Sequence, residues 1–112
     1  MEEIRGDELR GHLEAMMLSV LERGEAHGYE ILQRLENAGC GALKLKEGTL
    51  YPALYRLEEA GLLTARWEAN EETRRGPRRR NYRLTRKGKS ELERRRASWR
   101  NFVTIVGAIV EA

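Results

Sequence analysis

The chain has 112 residues, of which 40% are hydrophobic and 35% charged, with two prolines and one cysteine. This length suits a single domain with one core, and the composition argues against a disordered or fibrous protein. A lone cysteine excludes an intramolecular disulfide, and no Cys/His cluster has zinc-ligand spacing, so we expect a cytoplasmic protein without metal or other cofactor. The N-terminus is too acidic for a signal peptide and the longest apolar run, 102–110, is too short for a membrane span, so no membrane partner is expected.

The positive charge is concentrated in one part of the chain. The net charge is only +3, but residues 74–100 hold 13 Lys or Arg against two Glu, while the remainder holds 8 basic and 16 acidic residues. Clustered basic residues favour a polyanionic partner such as DNA. A solvated basic helix face would give the same count, so charge alone leaves both interpretations open.

Two helices are predicted in the first 40 residues. Apolar residues recur at spacings of three and four from about Asp7 to Arg23, with Asp7 as N-cap and Gly24 as the stop. A second, shorter pattern begins near His27 and ends before the glycine-rich stretch 39–41. The residues expected to face the core are Leu9, Leu13, Met16, Met17, Val20 and Leu21, followed by Ile31, Leu32 and Leu35.

A third helix is predicted within residues 47–60, ended by Gly61 in the left-handed conformation. Because proline lacks an N–H, Pro52 fits only the first turn, and we therefore expect the helix to start near Thr49. Its core-facing stripe is Leu50, Leu54 and Leu57.

After Gly61 the apolar period changes to two. This predicts a strand near residues 63–68, a polar loop at 70–77 and a second strand near 81–84, which together form a hairpin. On the first strand Leu63, Ala65 and Trp67 share one face; on the second, Tyr82 and Leu84 do.

Thr85 is predicted to cap a last helix with coiled-coil spacing of its apolar residues. Several β-branched residues and Gly107 leave a terminal strand over 103–110 as an alternative. We expect residues 1–84 to form one domain and residues 85–112 a C-terminal dimerisation helix. The predicted contacts of the homodimer are Leu92, Trp99, Phe102, Val103, Val106, Ile109 and Val110.

Three helices followed by a hairpin are typical of a winged helix-turn-helix, a mostly α fold of the α+β class. In this fold the third helix enters the major groove of double-stranded DNA and the hairpin, or wing, lies against the backbone or minor groove. The predicted DNA contacts are therefore Tyr29, Lys44, Lys46, Thr49, Tyr51, Pro52, Tyr55, Arg56, Arg75, Arg78, Arg79 and Arg80.

Alternatives remain open at this point. Tyr29 and Tyr51 can also be half-buried packing residues, and for the basic residues 86–96 a solvated helix face is favoured over DNA contact. A winged helix that binds RNA or docks a protein would share the same features. An enzyme is disfavoured, because neither His12 nor His27 has a nucleophile, carboxylate pair or metal-ligand partner at a recognisable spacing.

Three sequence blocks resemble the PadR family of transcriptional regulators: HGYEI at 27–31, EGTLYPALYRLEEAGLL at 47–63 and GPRRRNYRLTRKG at 76–88. The resemblance implies a repressor that dimerises through a single C-terminal helix and binds an inverted-repeat operator near its own or a neighbouring gene. In the family, residues matching Tyr29, Lys46, Thr49, Tyr51 and the wing arginines lie at or near the DNA.

The resemblance also implies a possible effector site. Some short members of the family bind flat aromatic compounds in a pore between the subunits, lined partly by an aromatic residue of the last helix. Trp99 matches that place, and Met16 and Phe102 could share the pocket. Packing in the dimer seam is the alternative role for Trp99.

Overall fold

Four helices and three strands follow one another in the computed structural model, which describes residues 2–4, 9, 11–69 and 78–112. The helices are α1 (Leu13–Leu21), α2 (Gly28–Ala38), α3 (Glu47–Glu59) and α4 (Arg86–Val110). The strands are β1 (Ala26–His27), β2 (Leu63–Trp67) and β3 (Arg80–Leu84). Three helices that precede a hairpin and a long last helix confirm the predicted winged helix-turn-helix of the α+β class.

The core lies between the helices and the inner face of the sheet. Its wholly buried large side chains are Met17, Leu18, Ile31, Leu50, Leu54, Leu57 and Leu92. Burial of each such side chain stabilises the fold by about 1.5–3 kcal/mol. The stripes predicted for the first three helices are all buried or packed against this core. Leu18 was not predicted, and its burial shows that α1 is covered on two sides.

Leu92 differs from its predicted role. We expected a contact with a partner subunit, but Leu92 is a core residue of its own chain with 1% of its surface exposed, which leaves no surface for a partner. The first turns of α4 therefore pack into the winged helix, while the division into residues 1–84 and 85–112 stays a prediction.

Among the described residues, no helix combines the length and apolarity needed to cross a lipid bilayer.

Helix α1 is shorter than predicted. It begins at Leu13 after the N-cap His12, whereas the expected N-cap Asp7 lies outside the described residues. Gly11 has φ +84°, a left-handed conformation that an α-helix cannot contain, so the helix starts after it. At the other end, the Arg34 guanidinium donates to the carbonyls of Val20 (3.1 Å) and Gly24 (2.8 Å), which have no helical partner.

Helix α3 begins at Glu47, two residues before the expected start at Thr49. Pro52 is its sixth residue and lies beyond the first turn, so the prediction was wrong on this point. The hydrogen bond that Pro52 cannot make would go to the carbonyl of Gly48, in an exposed first turn where water can solvate it. Gly61, with φ +76°, follows the helix end as predicted.

The sheet has the order β1-β3-β2, and both pairings are antiparallel. The predicted hairpin is confirmed, with Leu63 opposite Leu84 and Trp67 opposite Arg80. Strand β1 was not predicted, because two residues are too few to show an alternating pattern. It pairs with Asn81 and Tyr82 and thereby fixes the start of α2 beside the hairpin.

Helix α4 begins in a tightly packed corner. The Thr85 hydroxyl accepts a hydrogen bond from the Gly88 N–H (3.0 Å) and lies 2.7 Å from the Gly61 carbonyl, to which it donates. A Cβ on Gly88 would overlap the carbonyl oxygen of Leu62. The helix then continues to Val110, so the alternative of a terminal strand is wrong.

We predict that Gly88→Ala lowers the free energy of unfolding by about 1–3 kcal/mol, because the new methyl group must displace backbone atoms. Urea unfolding at a fixed protein concentration measures this change. Gly48→Ala is the matched control, since a Cβ there meets no atom within 4 Å and alanine should stabilise α3. Equal stability of the two variants would contradict the close packing at Gly88.

Candidate nucleic-acid interface

Helix α3 presents a continuous polar and aromatic face to solvent. Leu50, Ala53, Leu54 and Leu57 are buried, so the residues between them must point outward. The predicted groove-reading residues Thr49, Tyr51, Pro52, Tyr55 and Arg56 are all exposed, as are Lys44 and Lys46 before the helix. Tyr55 has 64% of its surface exposed and Tyr51 45%, so the role of Tyr51 in DNA contact or in packing stays open.

The start of α2 is held by a capping box that was not predicted. The Nδ1 atom of His27 accepts a hydrogen bond from the Glu30 N–H (3.3 Å), and the Glu30 carboxylate accepts one from the His27 N–H (3.4 Å). The sequence contains a signal for this arrangement, since a carboxylate three residues after the N-cap is typical of the capping box. The ring of Tyr29, 60% exposed, lies nearly parallel to the His27 ring.

The side chain of Tyr51 packs α3 against the start of α2. A Cβ on Gly28 would overlap the Tyr51 hydroxyl oxygen and lie 2.8 Å from the ring carbon Cζ. Only a residue without a side chain therefore leaves space for Tyr51 in this position. As a result, Tyr51 lies against the start of α2, where the exposed Tyr29 follows Gly28.

The wing approaches the same region. The Nη1 atom of Arg79 lies 3.0 Å from Nε2 of His27, so this arginine reaches the start of α2. Arg78 is exposed, and its Nε donates to the Glu68 carbonyl (3.1 Å). Arg75, also predicted to contact DNA, lies outside the described residues.

Two further predicted DNA contacts form ion pairs with carboxylates of the same chain. The Arg56 Nε donates to the Glu14 carboxylate (3.1 Å), in an ion pair whose arginine is more than half exposed. Such pairs are worth little and break readily, so the role of Arg56 stays a prediction. Arg80 differs, because its Nη2 donates to the Glu58 carboxylate at 2.7 Å from a partly buried position.

The arginines of α4 bind acidic residues of α4 itself and of α1 and its C-cap. Arg96 contacts Glu22, and Arg95 contacts both Glu14 and Glu91. Hydrogen bonds from Arg94 and Arg95 lower the pKa of the Glu91 carboxyl from its ordinary value to about 2. This part of the basic stretch therefore joins α4 to the winged helix, as well as giving α4 a charged face.

A large open groove lies between α1, α3 and α4, with a volume of about 1270 Å³. Met16, Trp99 and Phe102, the residues predicted to contact an effector, all line it. The rings of Trp99 and Phe102 are stacked with centroids 5.9 Å apart, and His12 meets Trp99 edge to face at 5.2 Å. The structure thus brings these three residues together and adds His12, which sequence reasoning missed.

Comparison with known proteins finds a matching family model and solved structures with the same fold. The profile of the transcriptional regulator PadR-like family matches residues 17–94. A transcriptional regulator from Clostridium thermocellum superposes with a TM-score of 0.82 and 30% identity, over 94% of this chain and 99% of that one. A PadR-like transcriptional regulator from Bacillus cereus gives a TM-score of 0.78 and 30% identity, over 96% and 99%. A protein from Lysinibacillus sphaericus is 31% identical over 108 residues, 96% of each chain. The chain therefore belongs to the PadR-like family and is a transcriptional regulator, not an enzyme.

Proposed function

We propose that this regulator is a homodimeric repressor that binds an inverted-repeat operator in its own or a neighbouring promoter, in the cytoplasm. Helix α3 enters the major groove, and the wing lies on the backbone or minor groove. The observation that carries the proposal is the meeting of three elements at one exposed surface. Tyr51 of α3 and Arg79 of the wing both reach the start of α2, beside the exposed Tyr29.

The chemistry of this surface suits DNA phosphates. The positive end of the helix dipole favours phosphate at the start of a helix, and α2 begins at this surface. The hydroxyls of Tyr29, Thr49 and Tyr51 and the ammonium groups of Lys44 and Lys46 supply further donors. Tyr55 and Arg56, one turn further along α3, then face the base edges.

Duplex RNA is the less suitable partner. The major groove of A-form RNA is deep and too narrow for side chains to read, whereas that of B-DNA admits an α-helix. A protein partner would not explain a wing that carries two adjacent exposed arginines, Arg78 and Arg79.

We predict that Arg79→Ala weakens binding to all duplex sequences and lowers the slope of log affinity against log salt by about 0.9, the loss of one phosphate contact. Fluorescence anisotropy with labelled DNA at several salt concentrations measures both quantities. Arg94→Ala removes the same charge from α4, where Arg94 binds Glu91, and should leave the slope unchanged. Equal slopes in wild type and Arg79→Ala would show that Arg79 makes no phosphate contact. A preference for duplex RNA over duplex DNA would support the alternative function.

The proposed dimer rests on an uncovered apolar face of α4. The predicted contacts Trp99, Phe102, Val103, Val106, Ile109 and Val110 are all exposed, the last two with 74% of their surface, and Ile105 adds to them. Ile105 was missed because it falls outside the coiled-coil spacing. Contiguous apolar surface of this kind marks an interaction site, and a second α4 would cover it.

We predict that Ile109→Lys yields a monomer, because a charge replaces an apolar contact in both subunits. The dimer then loses about 3 kcal/mol or more of the free energy gained by burying apolar surface. Sedimentation velocity at several protein concentrations shows the change. Ala108→Lys is the control: its side chain leaves α4 about 100° away from that of Ile109, and the dimer should persist. If Ile109→Lys remained a dimer, Ile109 would lie outside the dimer interface.

We further propose that a planar aromatic compound binds in the groove beside Trp99 and releases the repressor from DNA. The supporting observation is the cluster of His12, Trp99 and Phe102, whose rings leave exposed faces for stacking. Planar aromatic cations should quench the tryptophan fluorescence of Trp67→Phe, which retains Trp99, but not that of Trp99→Phe. Quenching that survives only in Trp99→Phe would exclude this site.

A further inference from the structure

Arg80 lies at the root of the wing on the inward face of the sheet. Side chains alternate along a strand, so Arg80 shares its face of β3 with Tyr82 and Leu84. Tyr82 is buried, which shows that this face points to the core. Arg79 and Asn81 belong to the opposite face. Arg80 is therefore directed towards α3, although it follows two exposed arginines in the sequence.

The contacts of Arg80 hold its guanidinium between two elements. Its Nη2 donates to the Glu58 carboxylate of α3 at 2.7 Å. The guanidinium carbon lies 5.9 Å from the ring centroid of Trp67 and 5.8 Å from that of Tyr82. Charge and aromatic faces attract at such distances, most strongly where water is partly excluded.

The arginine of this ion pair is less exposed than that of the Arg56–Glu14 pair. The side chains of Arg80 and Glu58 are 38% and 28% exposed, whereas Arg56 in the pair with Glu14 is 58% exposed. The Nε of Arg80 is buried and has no hydrogen-bond partner within the described residues. A guanidinium that turned towards DNA would lose both ring contacts and leave Glu58 partly buried without its partner.

We propose that Arg80 is a positioning residue that, with Glu58 and Trp67, forms a clamp fixing the angle between the wing and α3. This rests on the proposed function, in which both elements must reach the same DNA. Trp67 pairs with Arg80 in register, so the clamp holds both strands of the hairpin at the end away from Leu63 and Leu84. Arg80 then acts on DNA affinity through geometry, without a phosphate contact of its own.

The clamp and a direct phosphate contact predict opposite effects for Glu58. If only charge matters, Glu58→Ala removes a negative charge near the DNA and raises the affinity. If the clamp exists, Glu58→Ala frees the wing and lowers the affinity by about ten-fold, although the protein becomes more positive. Glu59→Ala removes the same charge from the next residue of α3, which is exposed, and shows the effect of charge alone.

The first experiment is a double-mutant cycle in DNA affinity. Wild type, Glu58→Ala, Arg80→Met and the double variant are titrated with duplex DNA at several salt concentrations, well below their melting temperatures. We expect each single variant to lose about ten-fold, the double variant to lose no more, and the salt slope to stay unchanged. Additive losses, or a slope lowered by about 0.9 in Arg80→Met, would make Arg80 a phosphate contact and overturn the clamp.

The second experiment does not depend on DNA. The Glu68 N–H donates to the Arg79 carbonyl (2.8 Å) at the root of the wing, and its hydrogen exchange reports opening there. We expect exchange at Glu68 to be about ten-fold faster in Glu58→Ala and unchanged in Glu59→Ala. The Thr85 N–H, bonded to the Leu62 carbonyl (3.1 Å) at the far end of the hairpin, is the internal control.

The outcomes separate the clamp from the proposed function. If Glu68 exchanges equally in Glu58→Ala and wild type, no clamp exists, even where the protein binds its operator. If wild type shows no salt-dependent binding to duplex DNA, the proposed function fails, and hydrogen exchange then decides the clamp as a structural element alone.

Discussion

The burial of one leucine stripe determines what the protein can present to a partner. Leu50, Leu54 and Leu57 are wholly covered by the core, so α3 has one permitted rotation about its axis. Tyr51, Tyr55 and the other polar residues must then point outward. A rotation by one residue, about 100°, would expose part of this stripe and cost several kcal/mol. The polar face that α3 presents to solvent thus depends on the packing behind it.

Close approaches then set the positions of the other elements relative to α3. Glycine at position 88 allows the start of α4 to touch the backbone at Leu62, just after α3 ends. The arginines of α4 bind Glu14 of α1 and Glu22 just after it, so α4 leaves the winged helix in a fixed direction. The apolar residues from Trp99 onward consequently project beyond the core instead of folding back onto it.

Much of the fold could be predicted because apolar period and turn residues are local signals. The four helices, the hairpin and the outward face of α3 follow from spacing alone. The start of α3 was predicted two residues too late. The prediction assumed that Pro52 must lie in the first turn, whereas water can solvate the carbonyl group that the missing N–H leaves without a partner. Leu92 fits a coiled-coil seam and a core equally well, and only the tertiary contact with the winged helix distinguishes the two.

The basic stretch shows most clearly where sequence reasoning reaches its limit. Arg78, Arg79 and Arg80 are adjacent and chemically identical, yet the alternation of β3 directs the third one inward to Glu58. That alternation was visible from Tyr82 and Leu84, and extending it by one step would have identified the difference. The pairing of Arg95 with Glu14 joins residues 81 positions apart, and no local pattern encodes it.

The contact between Gly28 and Tyr51 has a consequence for protein engineering. A common way to change the specificity of a regulator is to transplant its recognition helix into another scaffold. Here the hydroxyl of Tyr51 occupies the space where any other residue at position 28 would place its Cβ. A chimaera that receives α3 without this glycine would force Tyr51 out of position, so the two residues must be transferred as one unit.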